Sequence, residues 1–212
     1  MDNKEEKAAV KRLEKIIRDM RRNTKAEDYA VWKNIPLARE MLDILRNKVR
    51  MEKGEHIDAS GITVCCDCIF LEDLLNQRDV PRLCLEFLRL RKLAQKARTP
   101  QDEKYDDGCY LEADEAQRIQ NNLESYIDPG IDTDWWLAHC SSSYLKFDPV
   151  ERTPEWEEKI YEVEKELDRQ FRGVPRGMGF CHAYWPAKRA VLAQRGIEWR
   201  TPSQMNPRVM FD

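Results

Sequence analysis

The sequence of 212 residues lacks any long apolar run. Its longest apolar stretches, at residues 62–66 and 69–71, fall far short of the roughly 20 residues with which a helix crosses a bilayer. The first residues are charged and lead into an amphipathic segment, whereas a secretory signal carries a short apolar core. We therefore expect a cytoplasmic protein with no membrane partner.

Histidine is scarce, and the sequence contains no recognisable catalytic signature. There are three histidines and no nucleophile elbow. A phosphate-binding P-loop is also missing, since no glycine-rich loop is followed by a lysine and a serine or threonine. The seven cysteines are odd in number and irregularly spaced, which favours reduced thiols over a disulfide framework. A Cys-His nucleophile pair, Cys181 with His139 or Cys140 with His182, stays open, but the interpretation leans towards a protein without enzymatic activity.

What the sequence does contain is a series of apolar stripes with helical spacing. They predict helices over residues 2–22, 36–52, 80–97, 111–127 and 154–171. Asp79 is expected to cap the third of these, and Thr153 with Pro154 to begin the last. The predicted fold class is mostly α: an irregular multi-helix bundle with an N-terminal helical hairpin. At most a minor β element is expected near 62–66, where Ile62-Thr63-Val64-Cys65 reads as a strand.

Composition and turn residues divide the chain into three predicted segments. Residues 1–53 form the N-terminal helical hairpin, and 54–172 the helical core with its best core helix at 80–97. Residues 173–212 are rich in glycine, proline and aromatic residues, with a helix at 186–195 and a capping box beginning at Thr201. We expect them to form a turn-rich module packed on the core.

One cysteine pair has the spacing of half a zinc site. Cys65 and Cys68 form a C-x-x-C pair, and Cys181 with His182 could complete a tetrahedral set. His56 or His139-Cys140 would be alternative ligands. Because no second half of a zinc-finger spacing follows, buried thiols are the leading interpretation. We expect no cofactor, with zinc as the alternative.

Charge is distributed very unevenly along a chain of formal net charge −3. Residues 1–53 carry 15 basic and 10 acidic side chains, residues 101–168 carry six and 20, and residues 169–212 carry eight and two. A basic terminal helix can bind phosphates, whereas an acidic face can bind a basic protein groove. Solvation of exposed helix faces is the plainer interpretation. The basic residues that would contact a nucleic acid are Lys11, Arg12, Lys15, Arg18, Arg21 and Arg22.

Trp135 and Trp136 precede His139 by four and three residues. If the segment is helical, one of the two tryptophans shares a face with the histidine. This arrangement is compatible with a corner of the core or with a recognition patch. We favour the core, because tryptophan is usually well buried.

The end of the chain carries a run of residues with a family resemblance. The run comprises Gly179-Phe180-Cys181-His182-Ala183-Tyr184-Trp185, Lys188, Leu192, Gly196-Ile197-Glu198-Trp199, Thr201-Pro202, Met205-Asn206-Pro207 and Phe211-Asp212. It resembles the ending of small uncharacterised proteins found in Gram-positive bacteria, their phages and mobile elements. The resemblance covers roughly the last 35 residues and implies an accessory protein of a mobile element, without implying a particular activity.

Together these features favour binding over catalysis. The leading hypothesis is a non-enzymatic helical interaction protein, a phage or mobile-element accessory factor such as an inhibitor of a host nucleic-acid-handling complex. It would bind a protein partner through its acidic or aromatic surface. The first alternative is a nucleic-acid-binding accessory protein that uses the basic N-terminal helix or the C-terminal tail. The second is a zinc-containing protein built on Cys65 and Cys68.

Overall fold

A computed structural model describes the chain at residues 3–25, 30–51, 59–97 and 110–211. All regular structure in these ranges is helical, which confirms the predicted mostly α fold. The α-helices are α1 (Asn3–Thr24), α2 (Asn34–Met51), α3 (Ala59–Leu71), α4 (Pro81–Lys96), α5 (Ala113–Ile127), α6 (Thr133–Cys140), α7 (Pro154–Gln170), α8 (Phe180–Ala193) and α9 (Pro202–Met205). Among them, none has both the length and the apolar character required to cross a membrane.

The chain forms two compact units, unit 1 at residues 1–120 and unit 2 at residues 121–212. The division falls inside α5. The three segments inferred from composition, 1–53, 54–172 and 173–212, stay a prediction.

In unit 1, α1 and α2 form the predicted N-terminal hairpin. Arg12 of α1 pairs with Glu40 of α2. Asn23, eleven residues later in α1, donates from Nδ2 to Oδ1 of Asn34 at 2.8 Å, near the start of α2. The two helices therefore run antiparallel, and a short 3-10 turn at Val31–Lys33 precedes α2.

A buried asparagine connects this hairpin to the rest of unit 1. The side-chain amide of Asn34 donates to the carbonyl oxygens of Met20 at 3.1 Å and Leu74 at 2.8 Å. The Met20 carbonyl, which also accepts from the Thr24 hydroxyl at 2.9 Å, lies in the last turns of α1, and Leu74 follows the end of α3 by three residues. The hairpin thus packs as part of the unit, with α1 contacting α3 and α2 contacting α4.

The expected strand near 62–66 is wrong, because these residues lie in α3. The segment is short, apolar and rich in β-branched side chains, which is typical of a strand. Periodicity alone does not distinguish such a run from a buried helix. Thr63 donates its hydroxyl to the carbonyl oxygen of Ala59, one turn earlier, which satisfies its polar group inside a helix. Burial of Ile62, Cys66, Ile69 and Phe70 then holds α3 against α4.

Helix α4 is the central helix that the sequence predicted at 80–97. Its Cys84 and Phe87 are fully buried, as expected for an apolar face. The predicted cap is wrong: Val80 occupies the cap position and no side chain caps the helix. Asp79 instead accepts a hydrogen bond from Nδ2 of Asn76 at 2.7 Å and shapes the preceding turn.

Unit 2 contains an aromatic core cluster. It is formed by Tyr126, Trp136 and Phe147, with the ring centroids of Tyr126 and Trp136 4.9 Å apart. Beside it, the buried guanidinium of Arg152 donates to carbonyl oxygens at the C-terminal end of α5, including that of Asp128 at 2.8 Å. A cation at this end complements the helix dipole. Burial lowers the pKa of Arg152.

A second cluster joins α7 to the C-terminal residues. Trp156 and Trp199 pack with centroids 6.0 Å apart, and the ammonium of Lys188 lies 5.1 Å from the Trp156 ring. The same ammonium donates to Glu164 at 2.6 Å, and the Tyr184 hydroxyl donates to Glu164 at 2.5 Å. These contacts lie within unit 2. The aromatic side chains at this end of the chain therefore pack within their own unit.

The side-chain caps at Thr153 and Thr201 are those predicted from the sequence, but one helix of unit 2 begins earlier than predicted. Thr153 caps α7 through its side chain, and Thr201 with Gln204 forms the predicted capping box. The predicted helix 186–195 is wrong at its beginning, because α8 starts at Phe180. Pro186 lies inside α8, where proline lacks the backbone N–H that would donate to the carbonyl four residues earlier.

Candidate functional site

The outward face of α1 carries a continuous row of cations. At about 100° per residue, seven exposed basic side chains point within roughly 50° of one direction. We call them the basic stripe: Lys4, Lys7, Lys11, Lys15, Arg18, Arg22 and Lys25. The row runs for about 32 Å, since a helix rises roughly 1.5 Å per residue.

The packing of α1 fixes which way the stripe faces. Leu13, Ile16 and Met20 on the opposite side of the helix are buried, and the last two are inaccessible to solvent. A rotation of α1 that covered the stripe would expose this apolar face, at a cost of roughly 1.5 to 3 kcal/mol for each large side chain. The cations are therefore held towards solvent.

Two further arginines lie on the flanks of the helix and are already engaged. The guanidinium of Arg12 meets the carboxylate of Glu40 at 2.5 Å, and that of Arg21 meets Glu72 at 2.6 Å. Hydrogen bonding to these guanidinium groups lowers the pKa of Glu40 and of Glu72. Both bonds are paired, fork-like contacts, which position a side chain more firmly than a single bond. Arg12 and Arg21 thus fasten α1 to its neighbours.

Part of the stripe lies near carboxylates, and part of it does not. Glu14 lies at its edge, and Arg22 reaches Asp19 at 3.4 Å. In the part of the chain that the structure describes, Lys7, Lys11 and Arg18 take part in no ion pair. Cations at this spacing add their potentials, so the face attracts anions although the whole chain has a net charge of −3.

The six basic residues named from the sequence therefore divide into two groups. Lys11, Lys15, Arg18 and Arg22 belong to the stripe, whereas Arg12 and Arg21 do not. Lys4, Lys7 and Lys25 also belong to the stripe but are not among the residues predicted from the sequence. A helical projection of α1 places these lysines on the side opposite its apolar stripe, although they lie outside its densest run of basic residues.

The tryptophan pair of unit 2 is split between core and surface. Trp136 is buried in the aromatic cluster, but Trp135 keeps 48% of its surface exposed. Its ring stacks on that of His139 with centroids 4.4 Å apart and an interplanar angle of 17°. Nδ1 of His139 donates to the carbonyl oxygen of Trp135 at 2.8 Å, which holds the stack in place. The expectation of a core position is therefore right for Trp136 and wrong for Trp135.

The cysteines proposed as zinc ligands lie in different units. Cys65 and Cys68 are one turn apart on α3 in unit 1, and Cys181 and His182 begin α8 in unit 2. Over residues 3–25, 30–51, 59–97 and 110–211, no three histidine, cysteine or acidic side chains are grouped to hold a metal. His56, a further predicted ligand, lies outside these ranges. The zinc site stays a prediction.

The environment of Cys68 favours the protonated thiol. Burial, and then the neighbouring carboxylate of Glu72, raise the pKa of the Cys68 thiol to about 11. Zinc binds the thiolate, so zinc binding at this position would release the thiol proton.

No protein-family model matches the chain, and no curated protein or solved structure shows significant similarity to it.

Proposed function

We propose that the protein acts by binding, and that the basic stripe of α1 attaches it to the phosphate backbone of a nucleic acid. The supporting observation is the alignment of seven exposed cations on the face opposite the buried side of one helix. Phosphate contacts supply most of the affinity of sequence-independent binding. The length of the stripe, about 32 Å, is close to one turn of a DNA duplex.

The chemistry of the stripe suits contacts to phosphate. Its side chains are five lysines and two arginines, and the groups that most often read adenine edges, asparagine and glutamine, are missing from it. Lysine acts as a point charge towards phosphate. The proposed role is therefore attachment to a nucleic acid, which fits an accessory protein of a phage or mobile element.

Salt-dependent binding tests this proposal. Fluorescence anisotropy of a labelled 20-base-pair duplex and a 20-nucleotide single strand would be measured between 50 and 200 mM NaCl. With five to seven phosphates neutralised on duplex DNA, the logarithm of the binding constant should fall with a slope of roughly −4.5 to −6 against the logarithm of salt concentration. The variant Lys7→Gln/Lys11→Gln/Arg18→Gln should bind at least tenfold more weakly and reduce the slope by about 3.

A matched variant controls for the loss of positive charge elsewhere. Arg118→Gln/Lys165→Gln/Arg169→Gln removes three exposed cations outside the stripe, each in an ion pair within its own helix. It should bind within twofold of the wild type. Absence of binding at 50 mM salt, or equal affinity of the two triple variants, would contradict the proposal.

A second candidate function is the binding of a protein partner, and the exposed Trp135 supports it. A tryptophan that keeps 48% of its surface exposed and is fixed by a histidine stack has the character of an interface anchor. Partners recovered from a host lysate by the wild type should be lost with Trp135→Ala and kept with Tyr144→Ala, which removes another exposed aromatic ring. Recovery of the same proteins by Trp135→Ala would count against this interface.

A further inference from the structure

A groove between the C-terminal halves of α2 and α4 in unit 1 is separate from the basic stripe. It encloses about 340 Å³. The residues that line it are Arg46, Val49, Arg50, Glu86, Arg89, Leu90 and Leu93. The groove is therefore an apolar floor with a charged rim, and its volume lies at the lower end of the range for ligand sites in proteins.

The rim carries more positive than negative charge. Glu86 is its only carboxylate among the lining residues, and it bonds both Arg46 and Arg89, the latter at 2.6 Å. Arg50, one turn beyond Arg46 on α2, is exposed, and in the described part of the chain it forms no ion pair. Asp43, beside the lining residues, also approaches Arg46 at 4.0 Å, so three guanidinium groups meet two carboxylates and leave a net charge of +1 around the opening.

The floor leaves an aliphatic side chain open to water. Leu93 keeps 56% of its surface exposed. Leu90, three residues earlier on α4, is buried. Covering such a leucine releases roughly 25 cal/mol for each Å² of apolar surface. An occupant that fits both floor and rim has an apolar side chain flanked by carboxylates.

We propose that this groove binds an acidic peptide segment of a partner protein, which inserts an aliphatic side chain between Val49 and Leu93 and places carboxylates against Arg46, Arg50 and Arg89. Arginine suits this role because its planar fork matches a carboxylate. A nucleic acid fits less well, since the lining residues include no aromatic ring on which a base could stack. The inference is independent of the proposed role of α1.

Selection of displayed peptides on the full chain tests the inference. A library of random 12-residue peptides would be selected on the wild type and counter-selected on Arg50→Gln/Leu93→Ser. Enriched peptides should carry two or more aspartates or glutamates within four residues of a leucine, isoleucine or methionine. Synthetic copies should bind the double variant at least tenfold more weakly, as measured by fluorescence anisotropy.

Matched substitutions separate the groove from other surfaces. Leu71→Ser/Arg118→Gln alters an exposed leucine and an exposed arginine outside the groove and should leave peptide affinity within twofold. The α1 variant Lys7→Gln/Lys11→Gln/Arg18→Gln should do the same, so failure of the nucleic-acid proposal would not affect this result. Circular dichroism checks folding, and Arg50→Gln alone replaces the double variant if Leu93→Ser unfolds.

Three outcomes would overturn the inference. The first is that no peptide is enriched over the counter-selection. The second is that enriched peptides lack acidic residues or bind the double variant with unchanged affinity. The third is that the double variant loses tenfold affinity for a 20-nucleotide strand while no peptide is enriched, which would assign the groove to nucleic acid.

Discussion

Cys68 shows how one side chain can be made unreactive by its neighbours. It is partly buried on α3, and its thiol lies beside the carboxylate of Glu72, which Arg21 holds in place. Burial and the negative charge both disfavour the thiolate, so the pKa of Cys68 is raised to about 11. Because the thiolate is the reactive form, the side chain should behave as an inert thiol near neutral pH.

We predict slow alkylation of Cys68 in the native protein. At pH 8 a thiol of pKa about 11 is roughly 0.1% thiolate, whereas one at the ordinary value of about 8.5 is roughly a quarter thiolate. Iodoacetamide should therefore modify Cys68 on the order of a hundredfold more slowly in the folded than in the urea-unfolded chain. The rate should rise about tenfold per pH unit between pH 8 and 10. Peptide mapping by mass spectrometry measures it.

The substitution Glu72→Gln provides the internal comparison. It removes the adjacent negative charge, lowers the pKa of Cys68 and should speed its alkylation at pH 8. Equal rates for Cys68 in folded and unfolded protein would show that this environment does not form in solution.

At the scale of elements, a buried ion pair joins α3 to α4. Asp67 and Arg91 are both almost inaccessible to solvent and bond each other through Oδ1 and Nε. The backbone of Leu111 completes the arrangement, since its carbonyl oxygen accepts from Arg91 and its N–H donates to Asp67 at 3.2 Å. The pair therefore also fixes the chain that enters α5.

Removing one partner should destabilise unit 1 strongly. Arg91→Met leaves the Asp67 carboxylate buried without its cation, which typically costs about 3 to 5 kcal/mol of unfolding free energy. Asp67→Leu/Arg91→Met should recover part of this loss, because no charge then remains unpaired, although the Leu111 backbone still lacks its partners. Urea denaturation followed by circular dichroism gives the three free energies.

An exposed ion pair on the same helix serves as the control. Arg89→Met breaks the contact with Glu86, in which Arg89 is 60% exposed, and should cost no more than about 1 kcal/mol. If Arg91→Met proved as mild as Arg89→Met, the buried pair would not contribute to the stability of the unit.

The helices differ in how well the sequence predicted them, and the reason is physical. Helix α7 carries its start in Thr153 and Pro154 and its face in a regular apolar stripe, so local chemistry and packing agree. Helix α3 has no charged face, so burial against α4 is what distinguishes it from a strand. The start of α8 at Phe180 depends on ring contacts that spacing does not show.

The candidate sites were predictable to different degrees for the same reason. The basic character of α1 is plain in the sequence, but its division into a solvent face and two engaged arginines depends on Glu40 and Glu72, 28 and 51 residues away. Likewise, the groove between α2 and α4 exists only once the helices are packed. The sequence alone shows which residues are charged, whereas tertiary contacts decide which of these charges remain exposed to a binding partner.

At the scale of the whole molecule, two explanations of nucleic-acid binding can be compared. In the first, the basic stripe contacts phosphates directly, and in the second, the net charge of the chain governs the interaction. The formal net charge is −3, so overall attraction to DNA is not expected. The basic stripe nevertheless lies on one helix of unit 1, whereas α7 in unit 2 exposes Glu155, Glu158 and Glu162. At 0.1 M salt, exposed charges more than about 10 Å apart are largely screened from one another.

Two charge-changing variants should therefore have unequal effects on DNA binding. Lys7→Gln/Lys11→Gln/Arg18→Gln removes three positive charges, taking the net charge from −3 to −6, and Glu155→Gln/Glu158→Gln/Glu162→Gln removes three negative charges, taking it to 0. At 100 mM NaCl, the first should weaken binding to a 20-base-pair duplex at least tenfold, because it removes direct phosphate contacts. The second should change affinity by less than threefold, since it changes the net charge and removes no cation of the stripe. Opposite changes of similar size, measured by fluorescence anisotropy, would instead show that net charge governs the interaction and that the stripe has no special role.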